Sequence, residues 1–168
     1  MKDRYLFRAK ELDNGEWVQG NYVKGLDEFA NCEEAHIIFE SNAMFYSSGE
    51  IDGWYKVDPS TICQCTGLKD IHGNLIWEND IIHKQFYTDY DAYANSEAYN
   101  GRIQYEDGGW SVEITKSDGS VCVSPIIEMI AYSKDIENFE VIGNIFDNPE
   151  LLEDEKVKQE KEDDELEL

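Results

Sequence analysis

Cations are scarce in this sequence. Fourteen Lys and Arg residues stand against 37 Asp and Glu in 168 positions, a formal net charge of −23 at neutral pH. Binding a nucleic-acid backbone takes a Lys/Arg stripe, so direct nucleic-acid binding is disfavoured. An anionic membrane surface repels the same charge. Long apolar runs are missing as well. Runs such as Ile37-Ile38-Phe39 and Ile126-Ile127 are core-sized, and none approaches the roughly 18 residues of a membrane span. No apolar h-region follows Met1-Lys2-Asp3-Arg4-Tyr5, so no secretory signal is expected. Neither a GxGxxG loop nor a Walker-type lysine is present to cradle a phosphate. The three histidines, His36, His72 and His83, have no Ser or Cys in a nucleophile-elbow context to serve, so a triad has nothing to anchor it.

Cysteine is sparse too: Cys32, Cys63, Cys65 and Cys122. An even count is compatible with disulfides. Without a secretory signal, reduced and buried thiols in the cytoplasm of a bacterial host cell are the expectation. Cys63-Gln64-Cys65 leaves one residue between the thiols where zinc sites use two to four, and Cys32 and Cys122 are single. Asp89-Tyr90-Asp91 opens like a calcium loop, but Tyr93, Ala94 and Asn100 occupy its fifth, sixth and twelfth positions, where ligands and a glycine belong. The densest group of possible ligands is Asp70, His72, Glu78, Asp80 and His83, with Glu78 and Asp80 expected on one strand face. Solvated turn and strand residues are the expected reading of that group. The sequence therefore predicts no metal, no cofactor and no catalytic residues.

What the sequence does have is apolar and aromatic content, 41% and 12% of its residues, enough to build a core. Short alternating segments are separated by turn signals: Asp13-Asn14-Gly15, His72-Gly73-Asn74, Asp107-Gly108-Gly109 and Ser117-Asp118-Gly119. The pattern predicts a mainly β protein, a small barrel or sandwich of short antiparallel strands. We divide it into an N-terminal β-hairpin subdomain (1–58), a small barrel-like subdomain (59–149) and an acidic tail (150–168). Ser124-Pro125 reads as the start of a helical turn. Asn148-Pro149-Glu150 reads as the cap and first turn of a short C-terminal helix. The tail carries −7 of the net charge, which leaves −16 on residues 1–149, so the folded body is itself acidic. Segment 86–99 interleaves Phe86, Tyr87, Tyr90, Tyr93 and Tyr99 with Asp89 and Asp91. Aromatic rings on a polar loop give large contact area at low entropy cost, which makes these seven residues the candidate binding site.

Residues 65–82, Cys-Thr-Gly-Leu-Lys-Asp-Ile-His-Gly-Asn-Leu-Ile-Trp-Glu-Asn-Asp-Ile-Ile, resemble the central signature of the YopX family of phage and prophage proteins. Arg4, Phe7 and Arg8 ahead of a Trp17 hairpin agree with it, as does Gly101-Arg102-Ile103-Gln104-Tyr105 leading to Trp110. So does the ending Glu140-Val141-Ile142-Gly143-Asn144-Ile145-Phe146-Asp147-Asn148-Pro149-Glu150-Leu151-Leu152. The chain departs from the family at His72, where Asn is usual, and at Asn79, where Gly is usual. The resemblance implies a small, mainly β protein of phages or integrated prophages, without implying an activity. Its motif residues, Thr66, Gly67, Leu68, Asp70, Gly73, Asp80, Trp110, Gly143, Asn148 and Pro149, are of the kinds that turns, caps and cores require, so a scaffold role is expected for them.

The expected function is that of a phage accessory protein that binds a host or phage protein with a basic surface, and is not an enzyme. One alternative is an acidic nucleic-acid mimic that blocks a host DNA-binding protein. Another is a metal-assisted enzyme around Asp70, Asp80 and His83. Open strand edges leave room for a homo-oligomer.

Overall fold

The computed structural model describes residues 3–27, 33–84, 99–115, 120–127 and 139–152. Among these described residues, eleven strands make two antiparallel sheets. They are β1 (Phe7–Lys10), β2 (Trp17–Asp27), β3 (Glu33–Phe45), β4 (Ile51–Lys56), β5 (Cys63–Lys69), β6 (Leu75–Trp77), β7 (Asp80–Lys84), β8 (Tyr99–Glu106), β9 (Gly109–Thr115), β10 (Val121–Pro125) and β11 (Phe139–Asn144). The first sheet has the order β4-β3-β2-β1-β5-β6 and the second β10-β9-β8-β7-β11. By their contacts the residues form two units, Met1–Gly67 and Leu68–Leu168.

In the first unit, the Asp13-Asn14-Gly15 signal makes the β1–β2 connection. Gly15 takes φ 73°. The Asn14 carboxamide accepts from the Glu16 amide at 2.7 Å, and its NH2 donates to Glu11 Oε2 at 2.8 Å. Both bonds offer the backbone the local partner that a turn needs. β2 and β3 then pair from Asn21↔Phe39 to Asp27↔Glu33. β3 runs through both His36–Phe39 and Met44-Phe45 and slips register against β4 between Phe39 and Met44. The end of β4 curls back onto β1 through a Glu11↔Val57 bridge. The Leu12 amide donates to the Lys56 carbonyl and the Asp58 amide to the Lys10 carbonyl, each at 2.9 Å. Ala9, Ile38 and Val57 are buried inside this curl, with Phe7, Val18, Tyr55 and Ile62 packed against them. Asp58 closes the strand by accepting the Ser60 amide and hydroxyl at 2.9 and 2.7 Å, which starts the single turn Pro59–Thr61.

In the second unit, β7, β8, β9 and β10 follow one another as a meander, and β11 returns to the free side of β7. Asp107 and Gly108, both with positive φ, make the two-residue turn between β8 and β9. Ile76, Ile82, Ile103, Val112, Ile126 and Phe139 form the core, flanked by Leu68, Trp110, Ile114 and Val141.

Mainly β, with antiparallel strands, is the observed fold. Three finer expectations are corrected. Among the described residues neither sheet is a closed barrel: the first is drawn round by one bridge, and the second has the open order β10 to β11. Ser124 and Pro125 complete β10, opposite Val112 and Ser111, so the helical turn expected from Ser124 begins later, at Ile126-Ile127. Among the described residues, the expected C-terminal helix shows only a 3-10 turn, Pro149–Leu152. There the Leu151 amide bonds back three residues to the Asn148 carbonyl, and Asn100 Nδ2 takes the Leu151 carbonyl at 2.8 Å.

Candidate interaction surface

The family-like motif is built from turns. At Asp70 the chain reverses into β6, and a buried carboxylate organises the reversal. Oδ1 accepts the His72 and Asn74 amides at 2.9 and 2.8 Å, and Oδ2 accepts Asn74 Nδ2 at 3.1 Å and the Val141 amide at 3.4 Å. Burial pushes the carboxyl pKa up. The hydrogen bonds from the Asn74 side chain and from the Asn74, Val141 and His72 amides outweigh it and hold the group below the ordinary range. Gly73 takes φ 82°, as the turn requires. His72, the departure from the family pattern, donates from Nε2 to Glu140 Oε1 at 3.1 Å across to β11.

The second reversal, Glu78-Asn79, has the same character. Glu78 lies in the turn rather than on a strand face with Asp80. Asp80 is buried and accepts the Trp77 amide at 2.8 Å, closing the turn from inside. Asn79 adopts φ 66°, the left-handed conformation that glycine would supply without strain. It adds what glycine lacks: its Oδ1 accepts Arg102 Nη2 and Nε at 2.7 and 3.0 Å. His83 donates from Nδ1 to Asn100 Oδ1 at 2.9 Å. Asp70, Asp80 and His83 thus each engage a different local partner. Among the described residues no three His, Cys, Asp or Glu side chains gather as a metal site.

The other motif residues are placed in the same way. Thr66 is buried on β5, Gly67 has φ 77°, and Leu68 packs on the second core. Trp110 lies edge-on to Tyr105 at 5.0 Å and also packs on that core. Gly143 leaves room for the Asn148 carboxamide and the Leu151 side chain, and Pro149 opens the last turn. Cys63 and Cys65 are free and buried, and Cys122 is free and half-buried; Cys32 lies outside the described residues. The candidate binding residues Phe86, Tyr87, Asp89, Tyr90, Asp91 and Tyr93 also lie outside them. Tyr99 begins β8, and its side chain is not among those described.

A different surface stands out in the first unit. The β3–β4 hairpin exposes Met44 (55%), Phe45 (71%), Tyr46 (42%) and Trp54 (41%). Residues 41–49 around it, Ser-Asn-Ala-Met-Phe-Tyr-Ser-Ser-Gly, carry no charge in a chain that is 30% charged. Trp54 sits directly across from Phe39, on the face opposite Ile38 and Tyr55. The Phe39 ring stacks on that of Phe45, 6.1 Å between centroids. The tip is held by its own hydrogen bonds: Tyr46 amide to Glu50 carbonyl at 2.9 Å, Gly49 amide to Tyr46 carbonyl at 3.0 Å, and Tyr46 hydroxyl to Asp52 at 3.0 Å. The bond to Asp52 and its charge raise the Tyr46 hydroxyl pKa, so the ring stays a neutral donor. Rigid aromatic and thioether side chains on an uncharged tip are the composition of interface cores. Sequence reading missed this surface because Phe39, Met44, Tyr46 and Trp54 read as ordinary strand residues.

The chain is therefore a two-sheet, all-β protein whose most distinctive motif shapes turns. It matches the family model described as "YopX protein" over residues 6–153, and it belongs to that family. It is similar to a solved structure, described as the crystal structure of protein EF1440 from Enterococcus faecalis. The two are 28% identical, and the match covers 88% of this chain and 96% of that one with a TM-score of 0.51. No curated protein matches it. Among the described residues no helix is long and apolar enough to cross a membrane.

Proposed function

We propose that this YopX-family chain is a phage or prophage accessory protein that acts by binding another protein rather than by catalysis, and that the β3–β4 hairpin is its contact. The observation that carries this reading is the uncharged, exposed group of Met44, Phe45, Tyr46 and Trp54. A monomeric surface seldom leaves so many large apolar side chains together unless something covers them. Hydrogen bonds within the hairpin order it before binding, which lowers the entropy cost of association. The acidic body around it, −16 over residues 1–149, favours a partner with an apolar cleft set in a basic surface.

The test is photo-crosslinking in bacterial cells. Phe45→benzoylphenylalanine is expected to yield a covalent adduct with a second polypeptide, while the same replacement at Thr115, exposed on β9, yields none. Adducts of equal yield at both positions, or none at position 45, would count against the hairpin as the contact.

A further inference from the structure

We propose that Asn14 is a site of self-modification, which turns without an enzyme into an isoaspartyl or aspartyl residue, and that the fold spares Asn100 the same change. The sequence holds two Asn-Gly pairs, Asn14-Gly15 and Asn100-Gly101. Asparagine is labile in this setting, because glycine has no Cβ to shield its amide nitrogen or to restrict its backbone. Hydroxide takes the glycine amide proton and becomes water. The nitrogen attacks the asparagine Cγ and a C–N bond forms. The Cγ–Nδ2 bond breaks, and ammonia leaves with a proton from water, which restores the hydroxide. A second water opens the cyclic imide at either carbonyl, giving the isoaspartyl or the aspartyl product.

As dipeptides the two pairs are equivalent, and the structure separates them. Attack needs an asparagine side chain that can swing onto the following amide. Gly101 is buried within β8, opposite Ile82, and the Val112 side chain fills the space beside its Cα. The Asn100 carboxamide is tied at both ends. Oδ1 accepts from His83 Nδ1 at 2.9 Å, and Nδ2 donates to the Leu151 carbonyl at 2.8 Å. Those partners lie on β7 and in the Pro149–Leu152 turn, so freeing Asn100 means opening the second sheet.

Asn14 is held only within its own turn. The Gly15 amide donates to the Glu11 carbonyl at 2.9 Å, Oδ1 accepts the Glu16 amide at 2.7 Å, and Nδ2 donates to Glu11 Oε2 at 2.8 Å. Residues 12–16 are all exposed. Exposed hydrogen bonds of a turn open and reclose locally, whereas those of a core strand open only with its sheet. The change also weakens what it touches. An isoaspartyl residue adds a carbon to the main chain inside the loop that the Glu11 amide closes on the Glu16 carbonyl at 2.9 Å. The aspartyl product puts a carboxylate oxygen where Nδ2 met Glu11 Oε2, so repulsion replaces a hydrogen bond. Either product loosens the β1–β2 connection of the first unit.

Incubating the full chain at mildly alkaline pH tests this, with peptide mass spectrometry and enzymatic methylation of isoaspartyl groups reading both sites in one sample. In unfolding urea the two pairs are expected to convert at similar rates, since their chemistry is the same. In the folded chain Asn14 is expected to convert about 10-fold or more faster than Asn100. Glu11→Ala removes the acceptor of Nδ2 and keeps the backbone bridge to Val57, so it is expected to speed Asn14 several-fold and leave Asn100 unchanged. The converted chain is expected to unfold at a lower urea midpoint than the fresh one. Equal rates at the two sites in the folded chain, or slower conversion at Asn14, overturn the proposal. So does a Glu11→Ala chain that converts no faster than the native one, and a converted chain with the native midpoint overturns the loosening of the first unit.

Discussion

Gly20→Ala is expected to destabilise the first unit by roughly 1–3 kcal/mol, the range for a core forced to move backbone aside. Gly20 lies on β2, opposite Phe7 and on the same face as Val18 and Tyr22. The space a Cβ would take is occupied by the Phe39 carbonyl group, whose carbon would be 2.6 Å away, with the Glu40 Cα at 3.0 Å. These are backbone atoms of β3 at the point where it leaves its register with β4. No rotamer change relieves the clash, so the strand must shift, and the core of Ala9, Ile38 and Val57 shifts with it. Urea denaturation followed by tryptophan fluorescence measures the effect as a lower midpoint. A variant with the native midpoint would show that β3 does not approach so closely.

Asp70→Asn is expected to cost the second unit about 1–3 kcal/mol at neutral pH. The substitution keeps the shape but turns one acceptor into a donor facing donors, either Asn74 Nδ2 and the Val141 amide or the His72 and Asn74 amides. The sign of the pH dependence follows from the carboxyl group, which is held below its ordinary value of 3.8 in the folded chain. A depressed carboxyl adds stability above the unfolded pKa and loses it as pH falls through the folded one. The gap in denaturation midpoint between native and variant should therefore be full at neutral pH and should shrink below about pH 4. The comparison isolates Asp70 from the other acids, which titrate in both proteins. A gap that stays constant into acid would mean that Asp70 does not contribute as a charged acceptor.

Both substitutions show what could and could not be read in the sequence. The turn at Asp70 was legible from Gly73-Asn74, but the expectation of solvated carboxylates is corrected: Asp70 and Asp80 are buried, because backbone amides, and at Asp70 the Asn74 side chain, satisfy them. Asn79 was legible for the same reason, since asparagine tolerates the left-handed region, although its bond to Arg102 depends on a strand 23 residues away. Gly20 was not legible, because the carbonyl that fills its space belongs to a strand brought there by the curl of the sheet. The candidate surface was hidden by a related limit. Alternation marks Trp54 and Tyr55 as facing opposite ways, but which face meets water depends on what covers the sheet. The barrel expected from strand density failed because closure is decided by the pairing of β10 and β11 with other strands, which composition does not encode.

The central claim is that the β3–β4 hairpin binds a protein. Phe45 and Trp54 are exposed enough for alanine to leave the fold near native stability, within about 1 kcal/mol. They are also the aromatic anchors whose loss should weaken binding by about 30-fold or more if they form the hot spot. The most direct measurement is affinity capture from a lysate of the bacterium that carries the gene, with the native chain and with the Phe45→Ala, Trp54→Ala double variant, each quantified by isotope ratio. The expected result is at least one protein retained by the native chain and depleted at least 10-fold on the variant, both baits having the same thermal unfolding midpoint. The same retained set on both baits would contradict the assignment of this hairpin as the contact.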